Sequence, residues 1–292
     1  MTKSLLERTK QVWEEKRLPY RLKHRWGELG VLPNCLIVGA QKAGTTSLYE
    51  HLIHHPDVWP PDCREINFFN DKWLEGETWY RARFPNKLIE FWSVNIANRP
   101  FVTLESTPVY FIDKNVPARV AKLLPNCKLI FSLRNPIDRA YSHWRMNVKR
   151  GIEELSFEEA LAKEEERIAP DIEKAQESSF LVTNDCNLAS YSYKYRGLYL
   201  EHLQPWLNIF PKEQIKIIKS EDIWKDASKY HETLKILGLS KDKQQVEKFQ
   251  KFYGTSSNSS DMDQKTRDIL REYFREPNQS LYHFLGQNFE WN

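Results

Sequence analysis

The stretch from Asn34 to His55 constrains the fold more than any other part of the chain. It begins with the apolar run 35–38, which is too short for a helix and suits a strand buried on both faces. A loop bracketed by Gly39 and Gly44 follows, and then apolar residues at helical spacing. A strand, a glycine-bracketed loop and a helix in this order form a phosphate cradle, because backbone N–H groups and the helix N-terminus point at the anion.

The lysine of this loop stands at an unusual position. In nucleotide-hydrolysing P-loops a lysine directly follows the second glycine. Here Thr45 has that place, and Lys42 lies two positions before Gly44. The loop therefore keeps the cradle but brings its lysine to the reacting end of a 5′-phosphorylated group from another direction. The plainer alternative is an ordinary strand–turn–helix unit with a surface lysine.

The charge balance argues against one class of partner. The 292 residues include 43 basic and 40 acidic side chains, a net charge of +3. This balance gives no global field that would recruit nucleic acid, although it is compatible with a local basic pocket. Apolar residues make up 40% of the chain, which is enough for a sizeable core.

The cysteines and the N-terminus indicate a reducing, non-membrane setting. The four cysteines are scattered without a C-x-x-C pair, so we expect neither a zinc site nor a disulfide framework, and Cys35 and Cys127 read as buried thiols. No stretch has the apolar length of a signal peptide or a membrane span. We expect a soluble, cytoplasmic protein that binds neither membrane nor nucleic acid; nothing in the sequence predicts its oligomeric state.

Residues 1–33 form a basic, partly amphipathic extension, helical to about Arg17 and broken near Pro19. Packing on the domain is favoured over a membrane-surface role. The chain has no internal repeat and no Gly/Ser linker. The sequence therefore predicts a single domain over residues 1–292.

Strand-like and helix-like segments alternate along the whole chain. Further strands are predicted at 101–104, 127–133 and 214–219. Helices are predicted at about 117–124, from a capping box at Ser156 to about Ala169, from about 199 to 210, and from about Asp263 to Phe274. This alternation predicts an α/β fold of the P-loop type, with a central parallel sheet and helices on both faces.

Polar residues follow two of these strands where a ligand would bind. Glu105 ends the second strand and Arg134 follows the third, and the carboxyl ends of parallel strands form the ligand edge of such a sheet. Asn135 is suited to cap the next helix, and Ser142 lies about two turns into it. An arginine and a hydroxyl facing one groove can clamp a phosphate. The alternative is that Arg134 is only a solvated charge.

A second candidate segment runs from Arg64 to Asn70. Its adjacent phenylalanines, Phe68 and Phe69, would anchor it to the core and hold Glu65 near the glycine-bracketed loop. A surface glutamate on an anchored loop is the competing interpretation. Nearby aromatic residues could line a sugar- or ring-binding cleft, although core packing is the favoured role of each: Trp73, Trp79, Tyr80 and Tyr110.

Taken in order, these motifs resemble the sulfotransferases that use 3′-phosphoadenosine 5′-phosphosulfate (PAPS), of the heparan-sulfate-type branch and its soluble bacterial relatives. The resemblance covers roughly Asn34 to Gly286. It also includes Tyr195-Arg196-Gly197-x-Tyr199 and the late Tyr273…Pro277-Asn278…Leu281. Each motif is weak alone, and their shared order carries the resemblance.

The resemblance implies a role for each candidate residue. Glu65 would be the catalytic base, Lys42 would neutralise the bridging oxygen of the leaving group, and Glu105 would orient the acceptor or act as a second base. The 3′-phosphate would lie on Arg134 and Ser142. The full set expected to bind PAPS is Gln41, Lys42, Ala43, Gly44, Thr45, Thr46, Ser47, Arg134, Ser142 and Arg196, with no metal.

Departures from the family pattern concern the acceptor. Ser106 stands where the family often has a lysine, and the late loop offers only Lys251 before Gly254. No cysteine follows Cys186, so the C-terminal disulfide of Golgi members cannot form. These differences favour a cytosolic enzyme with another acceptor, either a carbohydrate or a small molecule of polyketide type.

Two other functions remain open at this stage. A P-loop kinase using ATP and Mg²⁺ would need a lysine after Gly44 and an acidic metal ligand at a strand end. A non-catalytic nucleotide-binding protein could have kept the fold alone. His143 is an alternative base, but its place beside Ser142 favours a structural role.

Overall fold

The computed structural model describes residues 27–175, 177, 182–183, 185–244 and 262–291. The helix expected in the first 17 residues and the late loop after Lys251 lie outside the described residues. The described strands are β1 (Cys35–Gly39), β2 (Val58–Trp59), β3 (Val102–Ser106), β4 (Lys128–Leu133) and β5 (Ile215–Lys219). They form one sheet in the order β2-β3-β1-β4-β5, and every neighbouring pair is parallel. The predicted parallel α/β fold is confirmed.

Helices connect the strands and cover both faces of the sheet. They are α1 (Thr45–Ile53), α2 (Gly76–Arg81), α3 (Lys87–Phe91), α4 (Val116–Leu123), α5 (Pro136–Lys149), α6 (Phe157–Lys174), α7 (Asn187–Tyr191), α8 (Tyr199–Leu207), α9 (Ser220–Lys225), α10 (Ala227–Ile236) and α11 (Gln264–Leu285).

Strand β1 is the centre of two cores because alternate side chains of a strand point to opposite faces. Leu36 and Val38 belong to the core that includes α4 and α8. Cys35 and Ile37 belong to the core that includes α1 and α10. All four side chains are completely buried, which explains why this strand reads as a continuous apolar run rather than an alternating one.

A third apolar cluster fixes helix α5 beside the ligand edge of the sheet. Ala140 of α5, Phe157 of α6 and Phe274 of α11 are among its fully or nearly fully buried members. The helix begins as predicted, with the side chain of Asn135 accepting a hydrogen bond from the Ile137 N–H at 3.0 Å. The capping box of Ser156 and Glu159 at the start of α6 is also confirmed.

Two helices extend beyond the ends expected from the sequence. Helix α6 continues through Pro170 to Lys174, and α11 continues through Pro277 to Leu285. A proline inside a helix removes one hydrogen bond and crowds the preceding turn, so both prolines favoured an earlier end. Tertiary packing outweighs that cost in α11, where Leu281 is 1% exposed.

The sequence missed one strand, β2. It is only two residues long and pairs with the start of β3, with Val58 opposite Val102. The prolines at 60 and 61 indicated an extended chain there but gave no sign of pairing. Cys35 and Cys127 are buried as predicted, and the single domain over residues 1–292 stays a prediction.

Candidate active site

The glycine-bracketed loop joins β1 to α1 as the sequence predicted. Gly44 precedes the first turn of α1 with φ of 81°, in the left-handed region that favours glycine, and no side chain caps that turn. Lys42 also lies in the left-handed region, with φ of 68°, which is uncommon for a residue with a side chain. The uncapped turn of α1 suits an anion, because the first N–H groups of a helix have no partner within it.

The floor of this loop is held by a residue that sequence reasoning missed. Ser132 lies in β4, the strand beside β1, and its side chain is buried. Its carbonyl oxygen accepts a hydrogen bond from the Ala40 N–H at 2.7 Å, and its hydroxyl donates to the Ala43 carbonyl oxygen at 2.6 Å. A single polar residue of a buried strand thus fixes both ends of the turn that carries Lys42.

Arg134 reaches the loop from the end of β4. Its Nη1 donates to the carbonyl oxygen of Lys42 at 3.3 Å. Ser142 lies two turns along α5 and is 6% exposed. The structure therefore brings Arg134 against the loop, and Ser142 is carried on the helix that Arg134 precedes.

Positive charge accumulates around Lys42. Burial is the main cause that lowers the pKa of Lys42 from 10.5 to about 8, and repulsion from Arg134, Arg150 and Arg139 adds to it. A cation held among other cations in a partly desolvated site favours an anionic ligand, which would relieve the repulsion. The site thus has the electrostatic character of a phosphate-binding pocket.

Arg196 lies behind the loop and meets it through one side chain. It is 1% exposed, and its Nη1 donates to Oε1 of Gln41 at 3.0 Å. Its Nε donates to the Ser192 hydroxyl at 2.7 Å and its Nη2 to the Ala189 carbonyl oxygen at 2.7 Å. Burial, with repulsion from Arg139, lowers the pKa of Arg196 to about 9. In the described residues, Arg196 therefore supports the loop through Gln41.

Two further buried groups behind the loop were not assigned to the site from the sequence. Arg139 of α5 is completely buried, and its Nη2 donates to the Tyr193 carbonyl oxygen. His143, one turn further, is 1% exposed, and burial together with Arg196 and Arg139 holds its pKa well below its ordinary value. A buried neutral imidazole on this side of the helix accords with a structural role. From the sequence, His143 was considered only as an alternative base beside Ser142, and Arg139 was given no role.

Glu65 is exposed to solvent. Its side chain is 47% exposed, and its Oε1 lies 3.5 Å from Nη2 of Arg64. Nη1 of the same arginine lies 3.9 Å from Oε1 of Glu50, a buried carboxylate of α1. Burial raises the pKa of Glu50 to about 7, and Arg64 opposes that rise. Glu65 is thus connected through Arg64 to the helix that begins at the phosphate loop.

Glu105, by contrast, lies completely inside the protein. Its Oε1 accepts hydrogen bonds from the hydroxyls of Thr107 and Tyr110, both at 2.6 Å, and its Oε2 accepts one from the Tyr80 hydroxyl. Desolvation raises the pKa of Glu105, and the hydroxyl donors oppose the rise. The structure therefore places this carboxylate away from solvent. A direct role of Glu105 in catalysis stays a prediction, and no contact among the described residues supports it.

The aromatic residues considered for a cleft belong to the core. Tyr80 and Tyr110 are completely buried, and Trp73 and Trp79 pack against the same cluster. Phe68 stacks on Tyr80 with ring centroids 4.1 Å apart, so the predicted anchoring of the segment at 64–70 by its phenylalanines agrees with the structure.

Within the described ranges, the structure has no helix long and apolar enough to cross a membrane. In the same part of the chain, no three or more histidine, cysteine, aspartate or glutamate side chains are grouped closely enough to hold a metal ion.

Comparison with known proteins agrees with the fold. The model of the sulfotransferase domain family matches residues 32–287. The chain belongs to this family and has its α/β fold.

Individual relatives show where the similarity lies. Heparan sulfate glucosamine 3-O-sulfotransferase 3B1 of Mus musculus is 28% identical over 286 residues, covering 89% of this chain and 65% of that protein. Bifunctional heparan sulfate N-deacetylase/N-sulfotransferase 3 of Homo sapiens is 32% identical over 221 residues, covering 71% of this chain and 22% of that protein. The chain thus spans less than two thirds of the length of these relatives.

A bacterial structure gives the matching fold. The crystal structure of a sulfotransferase from Alicyclobacillus acidocaldarius superposes with a TM-score of 0.65 at 27% identity, covering 89% of this chain and 98% of that one.

Proposed function

We propose that the protein transfers the sulfuryl group of PAPS to a hydroxyl or amine acceptor. The observation that carries this proposal is the contact between Arg134 and the backbone of Lys42. It sets a guanidinium directly beside a phosphate-type loop, where the 3′-phosphate of PAPS would distinguish this donor from ATP. The surplus of positive charge around Lys42 fits a ligand that is anionic at both ends.

Different residues of the chain would bind the two phosphates of the donor. The backbone of the loop from Gln41 to Ser47 would hold the 5′-phosphate at the start of α1. Arg134 and Ser142 would hold the 3′-phosphate, and Arg196 would keep Gln41 in place. PAPS supplies the sulfuryl group. The part of PAPS that leaves is adenosine 3′,5′-bisphosphate (PAP). No metal is needed for charge neutralisation when lysine, arginine and backbone donors provide it.

The transfer itself rests on Lys42 and Glu65. Glu65 would accept the proton of the acceptor hydroxyl or amine while the acceptor atom bonds to sulfur. Lys42 would donate to the bridging oxygen, which gains charge as its bond to sulfur breaks in line with the attack. The exposure of Glu65 supports this role, because a base must be reachable by an incoming acceptor.

The acceptor is proposed as a carbohydrate or a small molecule, including one of polyketide type. The names of the relatives refer to heparan sulfate, a carbohydrate. Ser106, buried at the end of β3, replaces the lysine that the family often has at this position. A cytoplasmic location, and the absence of nucleic-acid and membrane partners, stay predictions.

A ligand screen separates the proposal from its competitors. PAP should raise the thermal unfolding midpoint of the protein, and ATP with Mg²⁺ should not, because only the first ligand carries the 3′-phosphate. Stabilisation by ATP with Mg²⁺ alone would favour a kinase. Transfer of ³⁵S-labelled sulfate from PAPS across a panel of sugars, amines, phenols and β-hydroxyacyl compounds then identifies the acceptor.

Variants test the assigned roles. Glu65→Gln should abolish transfer and leave PAP binding intact, whereas Lys42→Ala should impair both. Glu77→Gln is the matched control, since Glu77 is similarly exposed at 48% and pairs with Arg81 on α2. Near-normal turnover by Glu65→Gln would refute the assignment of the base.

A further inference from the structure

The segment that carries Glu65 is attached by its backbone to the end of β3. The Arg64 carbonyl oxygen accepts a hydrogen bond from the Ser106 N–H at 3.4 Å. The backbone of Ile66 lies close enough to the carboxylate of Glu105 to oppose the rise of its pKa. These two contacts flank Glu65 in the chain, so the backbone on both sides of the proposed base lies against neighbouring residues of one strand.

Two hydroxyl groups extend this attachment further along the segment. The Asn67 N–H donates to the Thr107 hydroxyl at 3.4 Å, and the Phe69 N–H donates to the Tyr110 hydroxyl at 3.2 Å. Each of these hydroxyls in turn donates to Oε1 of Glu105 at 2.6 Å. Because donating to a carboxylate polarises a hydroxyl, each becomes a better acceptor for the backbone N–H behind it.

We propose that Glu105 is a positioning residue, which sets the place of Glu65 by organising the backbone N–H groups of residues 67 and 69. The two links pass through the hydroxyl groups of Thr107 and Tyr110. The proposal rests on the proposed function, since it concerns the base of that reaction, and it gives a task to a buried carboxylate that solvent does not reach.

A carboxylate suits this task better than a neutral side chain of the same shape. Among the described residues Glu105 has no salt-bridge partner, and its two oxygens accept hydrogen bonds from three hydroxyl groups instead. A glutamine in place of Glu105 would present its N–H₂ group to these donors. At least one donor would then lack an acceptor.

Two tyrosines offer a matched pair of variants. Tyr80 and Tyr110 are both completely buried, and each donates its hydroxyl to Glu105. Only the Tyr110 hydroxyl also accepts from the backbone of the segment, at Phe69. Tyr110→Phe and Tyr80→Phe therefore make the same chemical change and remove the same kind of bond to Glu105, but only the first removes a link to the segment.

Hydrogen–deuterium exchange and transfer kinetics on the full chain decide the proposal. Tyr110→Phe should raise amide exchange in residues 64–70 about tenfold relative to Tyr80→Phe. It should also lower kcat for ³⁵S-sulfate transfer at least about tenfold, with PAP affinity unchanged, because a base displaced by an ångström loses much of its effect. Thr107→Val should act in the same direction as Tyr110→Phe.

The outcomes separate this proposal from the proposed function. Equal effects of the two tyrosine variants on exchange or on kcat would overturn the positioning role, and so would wild-type exchange in Tyr110→Phe. If the wild-type protein transferred no sulfate to any acceptor while the exchange difference persisted, the proposed function would be refuted and the attachment of the segment to Glu105 supported.

Discussion

The charge of Lys42 should make the affinity for PAP fall as pH rises from 7 to 9. In the free protein, burial and neighbouring arginines lower the pKa of this ammonium group from 10.5 to about 8. A bound phosphate brings opposite charge to the loop and favours the protonated form, so binding raises the pKa again. Above pH 8 the free protein must therefore take up a proton in order to bind.

The magnitude follows from the two pKa values. Lowering the pKa from 10.5 to about 8 corresponds to ~3 kcal/mol of disfavoured charge in the free protein. If the ligand restores the ordinary value, affinity for PAP falls about tenfold between pH 7 and pH 9. Proton uptake on binding is about half a proton at pH 8 and nearly one at pH 9.

Isothermal titration calorimetry in HEPES and in Tris measures both quantities, because the two buffers differ in ionisation enthalpy. The phosphates of PAP are already ionised at pH 7, since the second pKa of a phosphate monoester is about 6. Lys42→Arg is the matched control, as it keeps a positive charge over this pH range. Its affinity for PAP should fall much less than tenfold over the same pH range.

Two results would refute this reasoning. The same tenfold fall in Lys42→Arg would show that another group titrates. A wild-type affinity that stays constant to pH 9, with no proton uptake, would show that the ammonium of Lys42 does not meet the ligand's charge. Circular dichroism at pH 9 checks that the fold persists under the conditions of the titration.

Three further predictions concern other parts of the molecule. Arg134→Ala should weaken PAP binding at least about tenfold and hardly affect adenosine 5′-phosphosulfate, which lacks the 3′-phosphate; equal losses by calorimetry would contradict the clamp. Gly197→Ala should lower the unfolding free energy in urea by about 1–3 kcal/mol, since its Cβ would lie 2.7 Å from the ring of Phe274; wild-type stability would contradict this close contact. Burial lowers the pKa of His202 from 6.5 to about 4, so the unfolded chain binds more protons than the folded protein below pH 6.5. Between pH 7 and pH 5 the unfolding free energy of the wild type should therefore fall by about 2 kcal/mol more than that of His202→Asn. Parallel pH profiles of unfolding free energy for the two proteins would show that His202 does not titrate in this way.

The parts of the fold that sequence predicted are those set by local pattern. The strand at 35–38, the loop after it and the start of α5 at Asn135 each carry their signal within a few residues. Where tertiary packing competes with local preference, the helix ends predicted from the sequence were wrong, as at Pro170 and Pro277 inside helices α6 and α11. Strand β2 was missed because two residues are too few to show a hydrophobic periodicity.

The candidate site divides in the same way. Lys42 was predicted from its place in the glycine-bracketed loop and Arg134 from its place after the third strand, and the structure joins them by a hydrogen bond. The roles of Ser132 and Glu50 could not be predicted from the sequence. The role of a polar residue in an apolar strand or helix depends on a partner that lies in another segment of the chain. The hydroxyl of Ser132, for example, bonds a residue 89 positions earlier.

The order of the strands gives the proposed reaction its direction. Strand β1 carries the loop with Lys42, and its two neighbours are β4 on one side and β3 on the other. Arg134 arrives from the β4 side and contacts the loop, so the proposed reaction would place the nucleotide end of the donor there. The segment with Glu65 is attached to the end of β3 through the Ser106 N–H, so the acceptor would bind on the opposite side.

Lys42 then lies between these two sides, where a sulfuryl group would pass from one to the other. Because parallel strands all end at the same edge, the sheet itself supplies this division. A change of acceptor specificity should therefore be sought at the end of β3 and after it, beginning with Ser106. A change of donor should be sought in those that follow β4.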